Sequence, residues 1–148
     1  MYARILVAVD GSPGSARAVA HAIALSKAFG AALRVLHVID MGWLALGPEL
    51  AVDTQRLVAA RRAEGERTVA AALETARAAG ASVETSLVET GAPGQRVASQ
   101  IVLEAQAWPA DLLVLGTHGR SGAERFLLGS VAEGVARRAS VPVLLVHG

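Results

Sequence analysis

The chain has 148 residues, a formal net charge of +1, 53% hydrophobic residues and only 3% aromatics. That length suits one domain spanning 1–148, with an aliphatic, alanine-rich core. The near-neutral charge argues against nucleic acid or an acidic membrane surface as partner, and zero cysteines exclude disulfides and thiolate metal sites. No apolar run reaches membrane-spanning length and "MYARILVAVD" lacks signal-peptide features, so a cytoplasmic protein is expected.

In chain order, "RILVAVD" (4–10) predicts a strand ending at Asp10-Gly11. A helix follows, with Ser12 as cap, Pro13 in the first position, Gly30 as stop and an apolar stripe of Ala16, Val19, Ala20, Ile23 and Ala24. "ALRVLHVID" (32–40) predicts a second strand, and the apolar stretch 41–52 reads as a segment folded onto the sheet edge, ahead of a lid or a partner surface. The pattern from Asp53 to Ala79 predicts a long helix with Leu57, Val69, Leu73 and Ala76 inward and its arginines and glutamates outward. "SVETSLVET" (82–90) alternates as an edge strand does, and Val97, Ile101, Ala105 and Trp108 recur at helical spacing. "DLLVLG" (111–116), a short helix over Ser130–Ala139 and "VPVLLVHG" complete the pattern.

Apolar strands alternating with amphipathic helices predict an α/β fold, a single doubly wound domain whose parallel sheet is covered on both faces. Ligands of such sheets sit at the carboxyl ends of the strands. This gathers Asp10-Gly11-Ser12, Val38-Ile39-Asp40, Gly91-Ala92-Pro93 and the segment 116–130 at one rim.

That segment, "GTHGRSGAERFLLGS", has the chemistry of a phosphate cradle. Gly116 and Gly119 lack a Cβ, which permits positive φ and close approach of backbone to a ligand. Gly129-Ser130 stands at a helix start, where Ser130 is a candidate cap and the amides of Ser130, Val131 and Ala132 face outward from a positive dipole end. Arg120 and Arg125 add charge, and His118 is equally readable as a phosphate donor or a packing residue. A Walker loop is excluded because the sole lysine is Lys27, and no Gly-x-Gly occurs to make a dinucleotide fingerprint.

The spacing Gly116-x2-Gly119-x9-Gly129-Ser130, with "ILVAVDGS" at the start and "VPVLLVHG" at the end, resembles the universal stress protein family over essentially the whole chain. The resemblance implies a five-stranded parallel sheet in the order 3-2-1-4-5 and, through the intact glycine pattern, the ATP-binding branch. It implies that Asp10 contacts the ribose and that the backbone of Ala8, Val9 and Val38 holds the adenine. The phosphates would lie on Leu115-Gly116, Gly119, Gly129, Ser130 and Val131, with His118 and Arg120 alongside. Mg²⁺ would be held by phosphate oxygens and water rather than by a protein-built site, since His21, His37 and His147 lack metal-ligand spacing.

The last strand, Val141–Val146, leaves an open edge, and both that edge and the resemblance point to a homodimer through it. No general base is evident: Glu124 reads as surface, and Ser121 and Ser130 as possible phosphate acceptors. A regulatory ATP-binding module is therefore expected, with a slow ATPase or autophosphorylating enzyme as the alternative.

Overall fold

The computed structural model describes residues 1–42, 54–91, 95–118 and 128–147. Five strands and four helices alternate: β1 (Arg4–Ala8), α1 (Pro13–Phe29), β2 (Ala32–Ile39), α2 (Thr54–Ala78), β3 (Val83–Glu89), α3 (Val97–Ala107), β4 (Leu112–Gly116), α4 (Ser130–Arg138) and β5 (Val143–Val146). Every strand pairing is parallel, and the sheet order is β3-β2-β1-β4-β5, as expected.

The sheet separates two aliphatic layers. Ile5, Val7, Leu33, Val35 and Val114 meet α1 and α2, whereas Leu6, Leu36, Val38, Leu113 and Leu115 meet α3 and α4. The alternation of consecutive residues between layers follows from the two-residue strand period. The central strand β1 is fully enclosed, since Ile5, Leu6 and Val7 are each 0% exposed. β3, at one edge, carries only exposed and half-buried residues, with no fully buried one, in keeping with an edge position. Among the described residues no helix is long and apolar enough to cross a membrane.

Local signals act where expected at α1. Ser12 accepts from the Ser15 amide at 3.1 Å, Pro13 opens the helix and Gly30 closes it in the left-handed conformation with φ 64°. The buried stripe is rotated from the expected one, however. Ser15, Ala18, Val19, Ala22, Ile23 and Ser26 face the sheet, while Ala16, Ala20 and Ala24 are exposed. A helix with alanine on most faces does not mark its inner side strongly, and the larger Val19 and Ile23 decide it. On α2, Leu57 is 39% exposed and Gly65 takes an inward position beside Val69, Ala72 and Ala76.

The amino-terminal rim of the sheet is heavily braced. The Asp111 carboxylate accepts from the amides of Ala3 and Arg4 at 2.8 and 3.0 Å. The guanidinium carbons of Arg4 and Arg34 lie 5.6 and 4.6 Å from the Trp108 ring centroid. On the far side, Arg62 of α2 makes two hydrogen bonds to the Glu89 carboxylate, at 2.7 and 3.2 Å. The hydrogen bond and charge of Arg62 hold the Glu89 carboxyl below its usual range. This tie is present at neutral pH and is lost as pH falls through that lowered value. Both side chains are solvent-exposed, so the tie orients the end of β3 more than it stabilises the chain.

Two close approaches fix the helices. A Cβ on Gly134 of α4 would lie 2.6 Å from the Ala98 Cβ of α3. Gly134→Ala therefore gains about 1 kcal/mol of helix propensity but meets roughly 1–3 kcal/mol of overpacking. The denaturant midpoint should fall; a rise would mean that α3 and α4 separate without cost. At Gly116 a Cβ would lie 2.9 and 3.0 Å from the carbonyl carbon and oxygen of Gly14, with no side chain to yield. Gly116→Ala should lower stability by about 1–3 kcal/mol, read as a lower denaturant midpoint, and shift the amide resonances of Ser12–Ser15, whereas unchanged resonances would show that the backbones are not in this contact.

Candidate functional site

β1 stops at Ala8 while β2 continues to Ile39 and β4 to Gly116. The notch beyond the central strand opens into a cleft of about 220 Å³. Ala8, Val9 and Asp10 form its floor where β1 ends, and Leu36 and Val38 of β2 form one wall. Leu115, Gly116 and His118 come from β4 and beyond it, and Gly129, Ser130 and Val131 from the start of α4. Ten of the twelve expected site residues thus converge there, namely Ala8, Val9, Asp10, Val38, Leu115, Gly116, His118, Gly129, Ser130 and Val131. Gly119 and Arg120 lie outside the described residues, as do Ser121, Glu124, Arg125 and the stretch 43–53.

Several local roles differ from expectation. Among the described residues, positive φ occurs only at Gly11, Gly30 and Gly80, so Gly116 does not use that freedom. Its missing Cβ admits the first turn of α1 instead. The cap of α4 is Gly129, with φ −61° and ψ 154°, and no side chain caps the helix. Ser130 is the first helical residue, which leaves its hydroxyl at the cleft without a capping duty. The helix supplies no acceptors for its first amides, and Ser130, Val131 and Ala132 all line the cleft. A rim of donors at a helix start suits an anion.

Asp10 serves the turn as expected: its Oδ1 accepts from the Ser12 amide at 2.9 Å. Its own amide donates to Ser15 Oγ at 3.3 Å. Turn duty thus holds the carboxylate at the cleft, where it can also accept from hydroxyl groups.

Ala132, whose amide the sequence places at the helix start, lines the cleft too, whereas Thr117, Ser15, Leu36, Val97 and Ile101 line it and carried no site signal in the sequence. Thr117 joins β4 to β5 and to the start of α4. It is 1% exposed, its amide donates to Val146 O at 3.0 Å and its carbonyl accepts from Gly129 N at 2.7 Å. Its hydroxyl lies 3.0 Å from His118 Nδ1, which orients that imidazole. The bond between residues 117 and 129 closes the loop at its base.

The backbone of Val38 is the other distinctive feature. Ala32 N donates to Ala3 O and Val9 N to Leu36 O, so even-numbered residues of β2 turn their backbone groups toward β1. The parallel repeat would next join the Val38 amide to the Val9 carbonyl. The pairing ends instead at Ala8↔Leu36, and no bond from Val38 N to Val9 O occurs among the described residues. Val38 therefore directs a donor and an acceptor past the end of β1, at the cleft.

Among the described residues no three histidine, aspartate or glutamate side chains gather in a way that could hold a metal ion.

Comparison with known proteins places this architecture. Residues 1–147 match the universal stress protein family. Universal stress protein MJ0531 of Methanocaldococcus jannaschii is 35% identical over 146 residues, covering 99% of this chain and 82% of that protein. The solved structure of hypothetical protein MJ0577 superposes with a TM-score of 0.80 at 26% identity, covering 100% and 97% of the two chains. A universal stress protein in complex with cAMP is 34% identical, with a TM-score of 0.66 and coverage of 99% and 97%. The universal stress protein from Archaeoglobus fulgidus in complex with dAMP is 26% identical, with a TM-score of 0.70 and coverage of 98% of each chain. The chain belongs to the universal stress protein family.

Proposed function

We propose that the cleft binds an adenine nucleotide, ATP foremost, and that the chain acts in the cytoplasm as a regulatory nucleotide-binding module of the stress response. The observation that carries this reading is the Val38 edge. An amide donor beside a carbonyl acceptor complements N1 and the N6 amino group of adenine, and opposes the N1–H and O6 of a 6-oxopurine. Val38, Leu36, Val97 and Ile101 give the base an apolar slot, and Asp10 stands where a ribose hydroxyl would reach it. The helix start at Ser130–Val131, with His118 and Gly116 opposite, receives the phosphates; Gly119 and Arg120 belong to the same proposed set. The complexes of relatives with cAMP and dAMP support the adenine reading.

The residues present fit such a ligand through backbone donors and one carboxylate. Mg²⁺ would be carried by the phosphate oxygens and water, which is its usual mode, and would supply charge neutralisation there. Catalytic turnover needs a group that positions the attacking atom. The described cleft offers Asp10, already engaged in its turn, and the Ser130 hydroxyl as a possible phosphate acceptor. Binding is thus the primary activity, with slow hydrolysis or autophosphorylation as the second reading.

We also propose a homodimer through Val141–Val146. β5 is the outer strand, and its backbone groups at Pro142 and Val146 bond inward to β4. Val143 and Leu145, between them, turn theirs outward. A second copy of the strand would satisfy both edges about a two-fold axis.

Calorimetry of nucleotide-stripped protein should give saturable ATP binding and at least about tenfold weaker binding of inosine triphosphate, the effect of one reversed hydrogen-bond pair. Gly129→Val should lose binding, because a side chain there enters the anion site. Equal affinity for both purines would overturn the base assignment. Sedimentation equilibrium should show a dimer, and Val143→Pro, which removes an outward amide, should give a folded monomer. A monomeric native chain sinks the strand-pairing proposal.

A further inference from the structure

His37 belongs to the layer opposite the cleft wall and does not line the cleft. Its neighbours are Ile39, Leu87 and the glycine notch of α2, where a Cβ on Gly65 would lie 3.2 Å from His37 Cδ2. The imidazole is buried at 9% exposure, and Nδ1 lies 2.7 Å from the Val9 carbonyl oxygen. A carbonyl only accepts, so Nδ1 carries the proton. Thus the acceptor that the β1–β2 ladder would offer to the Val38 amide is already engaged by the side chain of the preceding residue of β2.

We propose that His37 is a positioning residue for base recognition: by capturing the Val9 carbonyl it ends the β1–β2 ladder and keeps the Val38 amide available to a purine. The proposal rests on the adenine-nucleotide reading above and deepens it. His37 touches no ligand atom; it acts through the backbone of Val9 and Val38. Removing the His37 donor leaves the Val9 carbonyl unpaired beside the Val38 amide that faces the cleft, and the two can satisfy one another. The cost of leaving the Val9 carbonyl without a donor favours that outcome. The ladder would lengthen by one step and the edge that reads the base would be consumed. Gly65 belongs to the same arrangement, since any larger residue on α2 would press on the imidazole and on Ile39.

The test has a ligand-free arm and a binding arm. In isotope-labelled, nucleotide-free protein, a scalar coupling across a hydrogen bond from Val38 N to the Val9 carbonyl carbon should be absent in the native chain and present in His37→Leu. In calorimetry, His37→Leu should weaken ATP about tenfold, the value of one hydrogen bond, and should narrow the preference for ATP over inosine triphosphate. Inorganic triphosphate, which lacks the base, should bind the native chain and the variant alike. His37→Asn keeps a side-chain N–H at the same branch position and should hold ATP affinity within about threefold.

A coupling already present in the native chain, or absent from His37→Leu, overturns the role of His37 whatever the nucleotide results. Equal losses in the Leu and Asn variants, extending to inorganic triphosphate, mark a general packing defect and overturn it too. If the native chain binds no adenine nucleotide, the adenine reading itself falls, and the proposed ligand of the Val38 edge falls with it.

Discussion

The short central strand governs the architecture. A parallel strand must hand its backbone groups to two neighbours, and β1 does so for only five residues, Arg4–Ala8. β2 and β4 run on beyond it, and the space left between them is the cleft. A longer β1 would add buried hydrogen bonds and erase the site. Further strand pairing and an open cleft therefore compete at residues 8–10, and Asp10, Ser12 and Ser15 resolve the competition by turning the chain sharply out of the sheet.

The two ends of the sheet are built on opposite principles. At the amino-terminal rim side chains bridge the strands: Asp111 serves two amides, and Trp108 receives two guanidinium groups. At the carboxyl-terminal rim, donors and acceptors of β2 and α4 point into open space. The braced end absorbs the cost of holding these groups rigid, so the exposed ones need no rearrangement to meet a ligand.

The fold was largely legible because periodicity distinguishes buried strands from amphipathic helices, and the turn residues Ser12-Pro13 and Gly30 mark boundaries through local sterics. The strand ends, the glycine spacing and the family resemblance together pointed to Ala8, Val9, Asp10, Val38 and the residues flanking β4 and α4 that line the cleft. What the sequence hid was packing between distant segments. Nothing around Gly14 or Gly116 reveals that the two backbones meet, and the alanines of α1 gave no contrast by which to orient it. Ser130 looked like a cap because serine commonly is one, yet the neighbouring Gly129 took that position. Thr117 and His37 act through carbonyls brought near by the tertiary fold, and no spacing rule encodes such partners.

The bond from Gly129 N to Thr117 O has a consequence for how such chains diversify. It ties the two ends of the segment that separates β4 from α4, so the flanking elements are joined to each other directly as well as through the chain. Lengthening a closed segment is entropically mild, about 0.6 kcal/mol for each doubling. By that entropy alone, a change of length there costs folding little. A fixed count of nine residues between Gly119 and Gly129 is therefore not demanded by chain closure, and a change in that count would act first on the mouth of the cleft.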